Sequence, residues 1–492
     1  MSSDGAARVE ETHLSTLFFV GDRVFKRKKP IATDFVDFTD VAARRIACRR
    51  EVDLNRRLAP DVYLGVADLT LDGETLDHFV VMRALPDDRR LGARLDRPDV
   101  DDELRRIARL VATFHERAER GPEVDAASGA DAVAALWEAG IAQMQQFAGR
   151  VVDSAEVARM ADLARRYLAG RPSLLDGRVA AGRACDGHGD LQAQDIFCLD
   201  DGPRILDCLE FDDRLRFGDV LADVSFLAMD LERLGHPELA DRFVEWYREL
   251  SGDRWPASLA HLHIAYWAHV RAKVACIRTD QGDPAAADDA GALQQQCLAH
   301  LESGEVGLVV VGGNPGTGKS TVARGVAERL GAVVLSSDEL RDEVVSDRGA
   351  PNDRLDDGRY APERRDAVYD ELLDRAALLL VSGERVVLDA SWLDAGRRAR
   401  ARELADRSTA TLVELRCTCP PELAAERIRR RAAEGTDASE VTVTIAAALA
   451  ATADPWPEAT EVDTSAPVAE VVDAAVAATP LRPVLFQGEP RW

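Results

Sequence analysis

Short runs of β-branched residues recur along the C-terminal half of the chain. Each run is followed by a segment in which apolar residues have helical spacing; the runs cover residues 308–311, 332–335, 385–388 and 411–415. Alternation of short strands with helices is typical of a parallel sheet covered by helices on both faces. The pattern therefore predicts an α/β domain with a doubly wound parallel sheet.

The N-terminal half has a different pattern, in which strands come first and helices follow. Residues 16–29 are predicted to form a hairpin that turns at Gly21-Asp22, residues 41–58 a helix, and residues 79–82 a short strand. Later sequence up to about residue 280 is mostly helical, except for a loop-and-strand region at 184–213 that is rich in His, Asp and Gly.

A polar stretch near residues 281–305 separates the two halves. Because 492 residues are too many for one hydrophobic core, we expect two domains. The predicted division is an N-terminal domain at 1–298, a linker at 299–306, a second domain at 307–478 and an irregular, Pro-rich tail at 479–492.

Composition and charge narrow the class of protein. The chain has no apolar run long enough to cross a bilayer and no signal-peptide pattern, so we expect a cytoplasmic protein without membrane contact. A net charge of −25 argues against broad binding to nucleic acid, because phosphates would be repelled. A small anionic ligand in a basic pocket stays possible. The eight scattered cysteines are expected to be reduced, and the oligomeric state is left open.

Lysine is rare in this sequence. Arginine supplies most of the positive charge, and the five lysines are Lys26, Lys28, Lys29, Lys273 and Lys319. Lysine positions are therefore candidates for sites that need a compact ammonium group rather than a planar guanidinium.

Residues 313–320 fit the pattern GxxxxGK[ST] of a phosphate-binding loop between a strand and a helix. Glycines let the backbone N–H groups point at phosphate oxygens, and the following helix N-terminus adds positive potential. Lys319 would reach the β- and γ-phosphates, and the Ser320 hydroxyl would bind Mg²⁺. The predicted nucleotide-binding residues are Gly313, Asn314, Pro315, Gly316, Thr317, Gly318, Lys319, Ser320 and Thr321.

Polar residues also follow the second and third predicted strands, where open α/β sheets bind ligands. Residues 336–341 and Asp389 occupy these positions. With the phosphate loop, residues 305–465 resemble small P-loop kinases, the group of gluconate kinases, zeta-type toxins, chloramphenicol phosphotransferases and polynucleotide 5′-kinases. The resemblance implies that Asp338 is the base at the acceptor hydroxyl, that Arg341 binds substrate, and that Asp389 lies near Mg²⁺ or the acceptor.

The same resemblance implies a lid helix whose arginine contacts phosphate. Arg427, Arg429, Arg430 and Arg431 lie in that region, and Arg427 and Arg431 are the chosen candidates. The resemblance leaves the acceptor open.

A second motif begins at His188-Gly189-Asp190, with Asp195 and Asp207 downstream. It resembles the HGDxxxxN motif and the following acidic residue of aminoglycoside phosphotransferases and of choline, homoserine and sugar kinases. The resemblance implies an α+β, protein-kinase-like fold in which Asp190 is the catalytic base and Asp195 and Asp207 bind Mg²⁺. Glu210 and Asp212 are rivals of Asp207.

Upstream parts of this motif set appear in the same order as in that family. Lys26 resembles the phosphate-binding lysine, with Lys28 as its rival on the same strand face, and Glu51 its acidic partner. Met82 lies in a segment that resembles the hinge that contacts adenine. The resemblance spans about 10–285.

Two features depart from the family pattern. Asp195 stands where the family has Asn, which adds negative charge beside the phosphates, and no Gly-rich loop precedes Lys26, so that residues 12–15 would take its place.

These motifs, in this order, resemble bacterial fusions of an aminoglycoside phosphotransferase-like domain with a P-loop ATPase or kinase domain. We expect a bifunctional enzyme that uses ATP and Mg²⁺ to phosphorylate hydroxyl groups of small molecules, of the sugar, amino sugar or aminoglycoside type. One alternative is a regulatory protein in which one domain is a pseudokinase or an ATP sensor. Another is a nucleic-acid end kinase, against which the acidic charge counts.

Overall fold

The computed structural model describes residues 8–12, 14–32, 36–344, 362–434 and 442–482. By packing, the chain divides into two compact units. The first comprises Met1–Leu136, Asp176–Arg254 and Tyr266–Arg271, and the second comprises Trp137–Leu175, Trp255–Ala265 and Ala272–Trp492. The units thus cut the chain differently from the predicted domains, whose boundaries follow the motifs and stay a prediction.

Strands and helices of the N-terminal half begin with a sheet and continue with helices. The strands are β1 (Arg8–Glu11), β2 (Ser15–Val20), β3 (Arg23–Lys28), β4 (Tyr63–Leu71), β5 (Glu74–Arg83), β6 (Ala184–Asp186), β7 (Ile196–Leu199), β8 (Gly202–Ile205) and β9 (Phe217–Asp219). The helices are α1 (Val41–Asn55), α2 (Val100–Arg117), α3 (Pro122–Ser128), α4 (Ala130–Met144), α5 (Ser154–Gly170), α6 (Pro172–Ala180), α7 (Val220–Arg233) and α8 (Pro237–Ser251).

The first five strands form an antiparallel sheet in the order β1-β2-β3-β5-β4. The predicted hairpin is confirmed: β2 pairs with β3, and Phe18 lies opposite Phe25. Along β3, buried and half-buried residues alternate, so that Val24, Lys26 and Lys28 share the buried face. The connection between β1 and β2 closes through Thr12 and Ser15, and the Ser15 N–H donates to Thr12 Oγ1 at 3.0 Å. His13 lies outside the described residues.

Helix α1 ends earlier than predicted. Its last residue is Asn55 rather than Leu58, because the chain makes a tight turn in which the N–H groups of Leu58 and Ala59 both donate to the Asn55 carbonyl. The Asn55 amide oxygen also accepts from the Cys208 N–H at 2.9 Å, which ties the end of α1 to the segment that carries Asp207.

Elements of the remaining chain alternate between strand and helix. The helices are α9 (Ala257–Asp280), α10 (Ala286–Ser303), α11 (Lys319–Leu330), α12 (Ser337–Val344), α13 (Pro362–Val381), α14 (Ala395–Arg407), α15 (Pro421–Glu434), α16 (Val443–Ala451) and α17 (Val468–Ala477). The strands are β10 (Gly307–Gly312), β11 (Val333–Ser336), β12 (Val386–Asp389), β13 (Thr411–Thr418) and β14 (Thr460–Asp463). Helix α10 runs to Ser303, so most of the predicted linker at 299–306 is helical. Of the predicted tail, residues 483–492 lie outside the described part.

The five strands β10 to β14 form a wholly parallel sheet in the order β11-β12-β10-β13-β14, which confirms the predicted α/β fold. The central strand β10 is buried along its whole length, and Val309, Val387 and Val413 pack with helix α11 in the core beneath it. The carboxyl ends of β10, β11 and β12 therefore lie side by side at one edge of the sheet, where the phosphate-loop residues and Asp389 are. In the part of the chain that the structure describes, no helix is long and apolar enough to span a membrane.

Candidate active sites

The phosphate loop connects β10 to α11 as the sequence predicted. Gly316 has φ +83°, and a Cβ at this position would lie 2.5 Å from the Ala424 carbonyl oxygen, so only glycine fits. The loop is closed by Thr317, whose hydroxyl donates to the Asn314 carbonyl at 2.7 Å, and by the Gly313 N–H, which donates to the Ser391 carbonyl at 3.0 Å.

A cavity of about 230 Å³ lies beside this loop. Its lining includes Lys319, Ser320, Arg427, Arg431, Thr464 and Val468. Arg430 and Thr321 also line it. Predicted loop and lid residues therefore meet at one cavity.

One predicted lid arginine is linked to the loop through Thr464. Arg427 donates to the Thr464 hydroxyl at 3.0 Å and to the Thr464 carbonyl at 2.8 Å. The Thr464 hydroxyl in turn donates to the Thr317 carbonyl at 2.7 Å. Thr464 and the apolar residues Val468 and Val471 of the cavity were missed by the sequence reasoning, because they follow the last strand and carry no motif.

Asp389, at the end of β12, lies beside Lys319 and Ser320. Burial raises the pKa of the Asp389 carboxyl above its ordinary value, although the Lys319 ammonium lowers it. Its Oδ1 atom is buried and has no hydrogen-bond partner among the described residues. A buried acceptor without a donor, next to a hydroxyl and an ammonium, fits a bound Mg²⁺ and phosphate, so Ser320 and Asp389 would hold the metal and Lys319 the phosphates.

Asp338, in the first turn of α12, and Arg341, in its last turn, bind one another. Arg341 Nη1 donates to Asp338 Oδ1 at 2.6 Å, an ion pair between residues on the same helix face. The Asp338 N–H faces Ser336 Oγ, at 3.4 Å, and that hydroxyl faces Asp389. The structure thus brings both predicted acceptor residues to the edge where Asp389 is. Residues 345–361, which follow α12, lie outside the described part.

In the N-terminal unit, both candidate lysines contact Glu51. Lys26 Nζ lies 2.9 Å from Glu51 Oε1, and Lys28 Nζ lies 2.6 Å from Glu51 Oε2. Each has a second partner: Lys26 pairs with Asp207 and Lys28 with Glu210. Lys26 is therefore the lysine that faces the acidic motif. Lys28, two residues further along the same face of β3, forms a separate ion pair with Glu210.

Charge pairs raise the pKa of both ammonium groups. Burial alone would lower the pKa of Lys26, but Asp207 and Glu51 raise it well above the ordinary value. For Lys28, Glu51 and Glu210 outweigh burial and raise the pKa to about 12. Both lysines therefore stay charged at neutral pH, as binding to phosphate requires.

Three carboxyl groups of the acidic motif repel one another. Burial raises the pKa of Asp190 to about 7. Burial, Asp207 and Asp190 together raise the pKa of Asp195 well above its ordinary value. Partial burial would also raise that of Asp207, but Lys26 lowers it below its ordinary value. A bound cation would relieve the repulsion among these carboxylates. Asp195 and Asp207 are therefore the residues that would hold Mg²⁺ in this unit. Among the described residues, no three His, Cys, Asp or Glu side chains are already arranged around a metal position.

The two rivals of Asp207 are engaged elsewhere. Glu210 pairs with Lys28, and Asp212 binds Arg214 at 2.8 Å and caps a short 3₁₀ turn. Met82 lies at the end of β5, where its side chain packs in the core with Val24 and Val80. Its role in an adenine-binding hinge stays a prediction.

Two residues that carry no motif position the loop of Asp190. Asp223 of α7 accepts hydrogen bonds from the N–H groups of His188 at 2.6 Å and Gly189 at 2.8 Å. Arg57 donates to the carbonyls of Asp186 at 3.0 Å and Gly187 at 2.8 Å. The sequence reasoning missed both, since they are distant in sequence from the motif that they bind.

Asp190 itself receives a hydrogen bond. Gln192 Nε2 donates to Asp190 Oδ1 at 2.7 Å, and the Ala193 N–H of the same loop donates to Asp230 Oδ2 at 2.9 Å. Buried His188 accepts from the Asp190 N–H at 3.3 Å, and burial lowers the pKa of its imidazole to about 4, so it is neutral at pH 7. The carboxyl group of Asp190 is thereby oriented by its neighbours.

Comparison with known proteins agrees with both motif sets. Residues 20–260 match the Phosphotransferase enzyme family, and residues 308–455 match an AAA domain. Among solved structures, a gluconokinase from Sinorhizobium meliloti 1021 is 24% identical, with 35% of this chain and 90% of that chain covered and a TM-score of 0.27. A choline/ethanolamine kinase family protein from Mesorhizobium loti is 15% identical, with 61% of this chain and 92% of that chain covered and a TM-score of 0.39.

Two mycobacterial proteins are similar over nearly the whole chain. They are the uncharacterized protein Rv2004c of Mycobacterium tuberculosis (strain ATCC 25618 / H37Rv) and the uncharacterized protein Mb2027c of Mycobacterium bovis. Each is 44% identical over 464 residues, which cover 93% of this chain and 92% of the relative. The chain therefore belongs to the family of these proteins, and it joins a protein-kinase-like domain of the Phosphotransferase enzyme family to a C-terminal P-loop kinase domain.

Proposed function

We propose that the chain is a bifunctional, cytoplasmic phosphotransferase that uses ATP and Mg²⁺ to phosphorylate hydroxyl groups of small molecules. The observation that supports this proposal is the presence of two separate constellations, each with a lysine beside residues that would hold Mg²⁺ and a further aspartate that would meet the acceptor. They are Lys26, Asp195, Asp207 and Asp190 in the N-terminal domain, and Lys319, Ser320, Asp389 and Asp338 in the C-terminal domain.

Proton transfer in the N-terminal site would fall to Asp190. Its pKa of about 7 leaves a large fraction of the carboxylate ionised at neutral pH, so it can accept the hydroxyl proton. The acceptor oxygen forms a bond to the γ-phosphorus of ATP. The bond between the γ-phosphorus and the oxygen that bridges it to the β-phosphorus breaks, and ADP leaves. Bound Mg²⁺ and ATP would supply the phosphoryl group and neutralise charge on its oxygens. The residues of this chain position the hydroxyl, take its proton and hold the phosphates.

Acceptors of the sugar, amino sugar or aminoglycoside type are part of the same proposal. ADP release would be measured with such compounds for the wild type, Asp190→Asn and Lys319→Ala. We expect at least one acceptor to stimulate turnover, and one of the two variants to remove that stimulation, which identifies the responsible domain. If no acceptor stimulates turnover and neither variant changes ATP binding, the proposal is wrong.

Nucleotide sensing by the N-terminal domain is the second candidate. Asp195 favours it, because a carboxylate in place of the usual amide adds negative charge beside the phosphates, and burial together with repulsion from Asp207 and Asp190 already raises its pKa. Asp195→Asn distinguishes the two functions. A sensor would bind ATP without turnover in both forms, whereas an enzyme would keep or increase its turnover when the amide is restored.

A further inference from the structure

Arg271 is a half-buried arginine of helix α9. Among the described residues, its guanidinium makes no hydrogen bond and no ion pair. Placing a guanidinium partly out of water without such contacts is unfavourable, so an arginine that lacks them is a candidate for ligand binding.

Packing places this part of α9 against α7, next to the residue that binds the loop of Asp190. Trp267 precedes Arg271 by one helical turn, so the two side chains share a face of α9. The Trp267 indole N–H donates to the Ala222 carbonyl at 2.8 Å, and its ring lies 4.4 Å from that of Phe226. Ala222 directly precedes Asp223, the residue that binds the loop. Accordingly, residues 266–271 are the part of α9 that belongs to the first compact unit.

The charge of Arg271 reaches the catalytic carboxyl group. After burial, Arg271 has the largest effect on the pKa of Asp190, and it lowers that pKa more than Asp207 raises it. Nearby acidic side chains are engaged by other donors. Asp190 accepts from Gln192, and Asp230 binds Arg233 at 2.7 Å and accepts from the Ala193 N–H.

We propose that Arg271 binds an anionic group of the acceptor, so that the N-terminal site phosphorylates hydroxy compounds that carry a carboxylate or a phosphate. This inference rests on the proposed function, because it concerns the acceptor of the same site. A guanidinium matches both anions through two parallel N–H donors, whereas it repels the ammonium group of a cationic amino alcohol or aminoglycoside. Arg271 thereby narrows the acceptor class from sugars in general to their acidic derivatives.

A different role for Arg271 makes a different prediction. If Arg271 only lowers the pKa of Asp190, its removal would lower kcat/KM for every acceptor by the same factor and shift every pH profile by the same amount. If it binds the acceptor, its removal raises KM for anionic acceptors and leaves neutral ones nearly unchanged. Selectivity therefore separates the two roles.

The test uses the full chain with Lys319→Ala, so that the C-terminal site is silent. Acceptors of one ring type but different charge are compared: glucuronate, glucose 6-phosphate, glucose and glucosamine. We expect the two anions to have the highest kcat/KM, and their ranking distinguishes carboxylate from phosphate. Arg271→Ala should lower kcat/KM for the preferred anion about 10- to 100-fold. The same substitution should lower kcat/KM for glucose by less than about 3-fold. Arg271→Lys should retain part of the preference.

Arg105→Ala, at an exposed arginine of α2, is the matched control and should change none of these values. A preference for glucose or glucosamine, or an equal loss for all four acceptors in Arg271→Ala, overturns the inference. If turnover is absent, binding of the four compounds is measured by thermal unfolding with Mg²⁺ and a non-hydrolysable ATP analogue. Failure of both anions to bind, while the analogue still binds through Lys26, overturns the inference alone; failure of the analogue overturns the proposed function.

Discussion

The carboxylate of Asp223 accepts a hydrogen bond of 2.6 Å from the backbone N–H of His188, which is 35 residues away in sequence. A second bond, of 2.8 Å, comes from Gly189, and His115 Nε2 lies 3.2 Å from the same carboxylate. One buried side chain of α7 thus positions the two peptide groups that precede Asp190. The geometry of the catalytic loop therefore depends on a residue outside it.

Asp223→Asn should weaken both stability and turnover. Burial would raise the pKa of Asp223, but His115 and the backbone donors lower it to about 2. Since the folded-state pKa is below the unfolded value, the ionised carboxylate contributes about 2 kcal/mol of stability at neutral pH. That contribution is lost as the pH falls from about 4 to about 2.

Thermal unfolding of the wild type and Asp223→Asn across this pH range measures the effect. The difference between their midpoints should be largest at neutral pH and shrink in acid, and Asp102→Asn, at an exposed position of α2, should show no such difference. A difference that grows as the pH falls would contradict the assigned role of Asp223.

Lys26 and Lys28 should separate into a functional and a structural residue. Lys28 pairs with Glu210, whose side chain is 10% exposed, whereas Lys26 pairs with Asp207, which is 48% exposed and can be solvated. Lys28→Met should therefore destabilise the protein by about 3–5 kcal/mol, because it leaves a buried carboxylate unpaired. Lys26→Met should cost less stability and abolish ATP binding at the N-terminal site. Denaturant unfolding measures the stability of each variant, and ATP binding in the Lys319→Ala background measures its effect on the N-terminal site. If Lys28→Met abolished ATP binding and Lys26→Met did not, Lys28 would be the lysine that binds phosphate.

Turnover at the N-terminal site should rise between pH 6 and pH 8. Asp190 must be ionised to accept a proton, and its pKa is about 7 because burial raises it. Arg271 lowers that pKa, so Arg271→Ala should move the rise of kcat/KM to higher pH. The measurement is a pH profile of kcat/KM with the Lys319→Ala chain. A profile that is flat from pH 6 to pH 8 would remove Asp190 from the role of base.

Features that are local in sequence were predictable, and features made by distant contacts were not. The strands at 308–311 and 411–415, the hairpin at β2–β3 and the phosphate loop are each encoded by neighbouring residues, and all were found from the pattern. Asp223 positions the loop of Asp190 only because α7 packs beside it, and Arg271 acts on Asp190 from a helix that is far away in sequence. Val468 reaches the cavity of the phosphate loop because α17 packs on α11. No spacing in the sequence reveals such contacts.

The end of α1 shows the same limit at a smaller scale. The helical pattern of apolar residues continues to Leu58, but the Asn55 side chain binds the Cys208 N–H and the chain turns at that point. Likewise, Lys26 and Lys28 are equivalent by pattern. Only the placement of Asp207 and Glu210 opposite them distinguishes the two.

Alanine at three glycines should have graded effects. Gly316→Ala combines positive φ with a Cβ 2.5 Å from the Ala424 carbonyl, and should abolish ATP binding at the C-terminal site. Gly318→Ala has φ +82° but no atom closer than 3.5 Å, so it should cost about 1–2 kcal/mol by strain alone. Gly291→Ala, in helix α10 with open space around it, should stabilise by about 0.4–1 kcal/mol. Unfolding and ATP binding are measured for each variant; equal effects at 316 and 318 would contradict the close approach of Ala424.

The stoichiometry of ATP binding tests the central claim most directly. The claim is that one chain carries two independent nucleotide sites, one at Lys26 and one at Lys319. Isothermal titration with Mg²⁺ and a non-hydrolysable ATP analogue should give two sites per chain for the wild type, one for Lys26→Met, one for Lys319→Ala and none for the double variant. A single site in the wild type that one of the two variants removes, or two sites that survive both substitutions, would contradict the account.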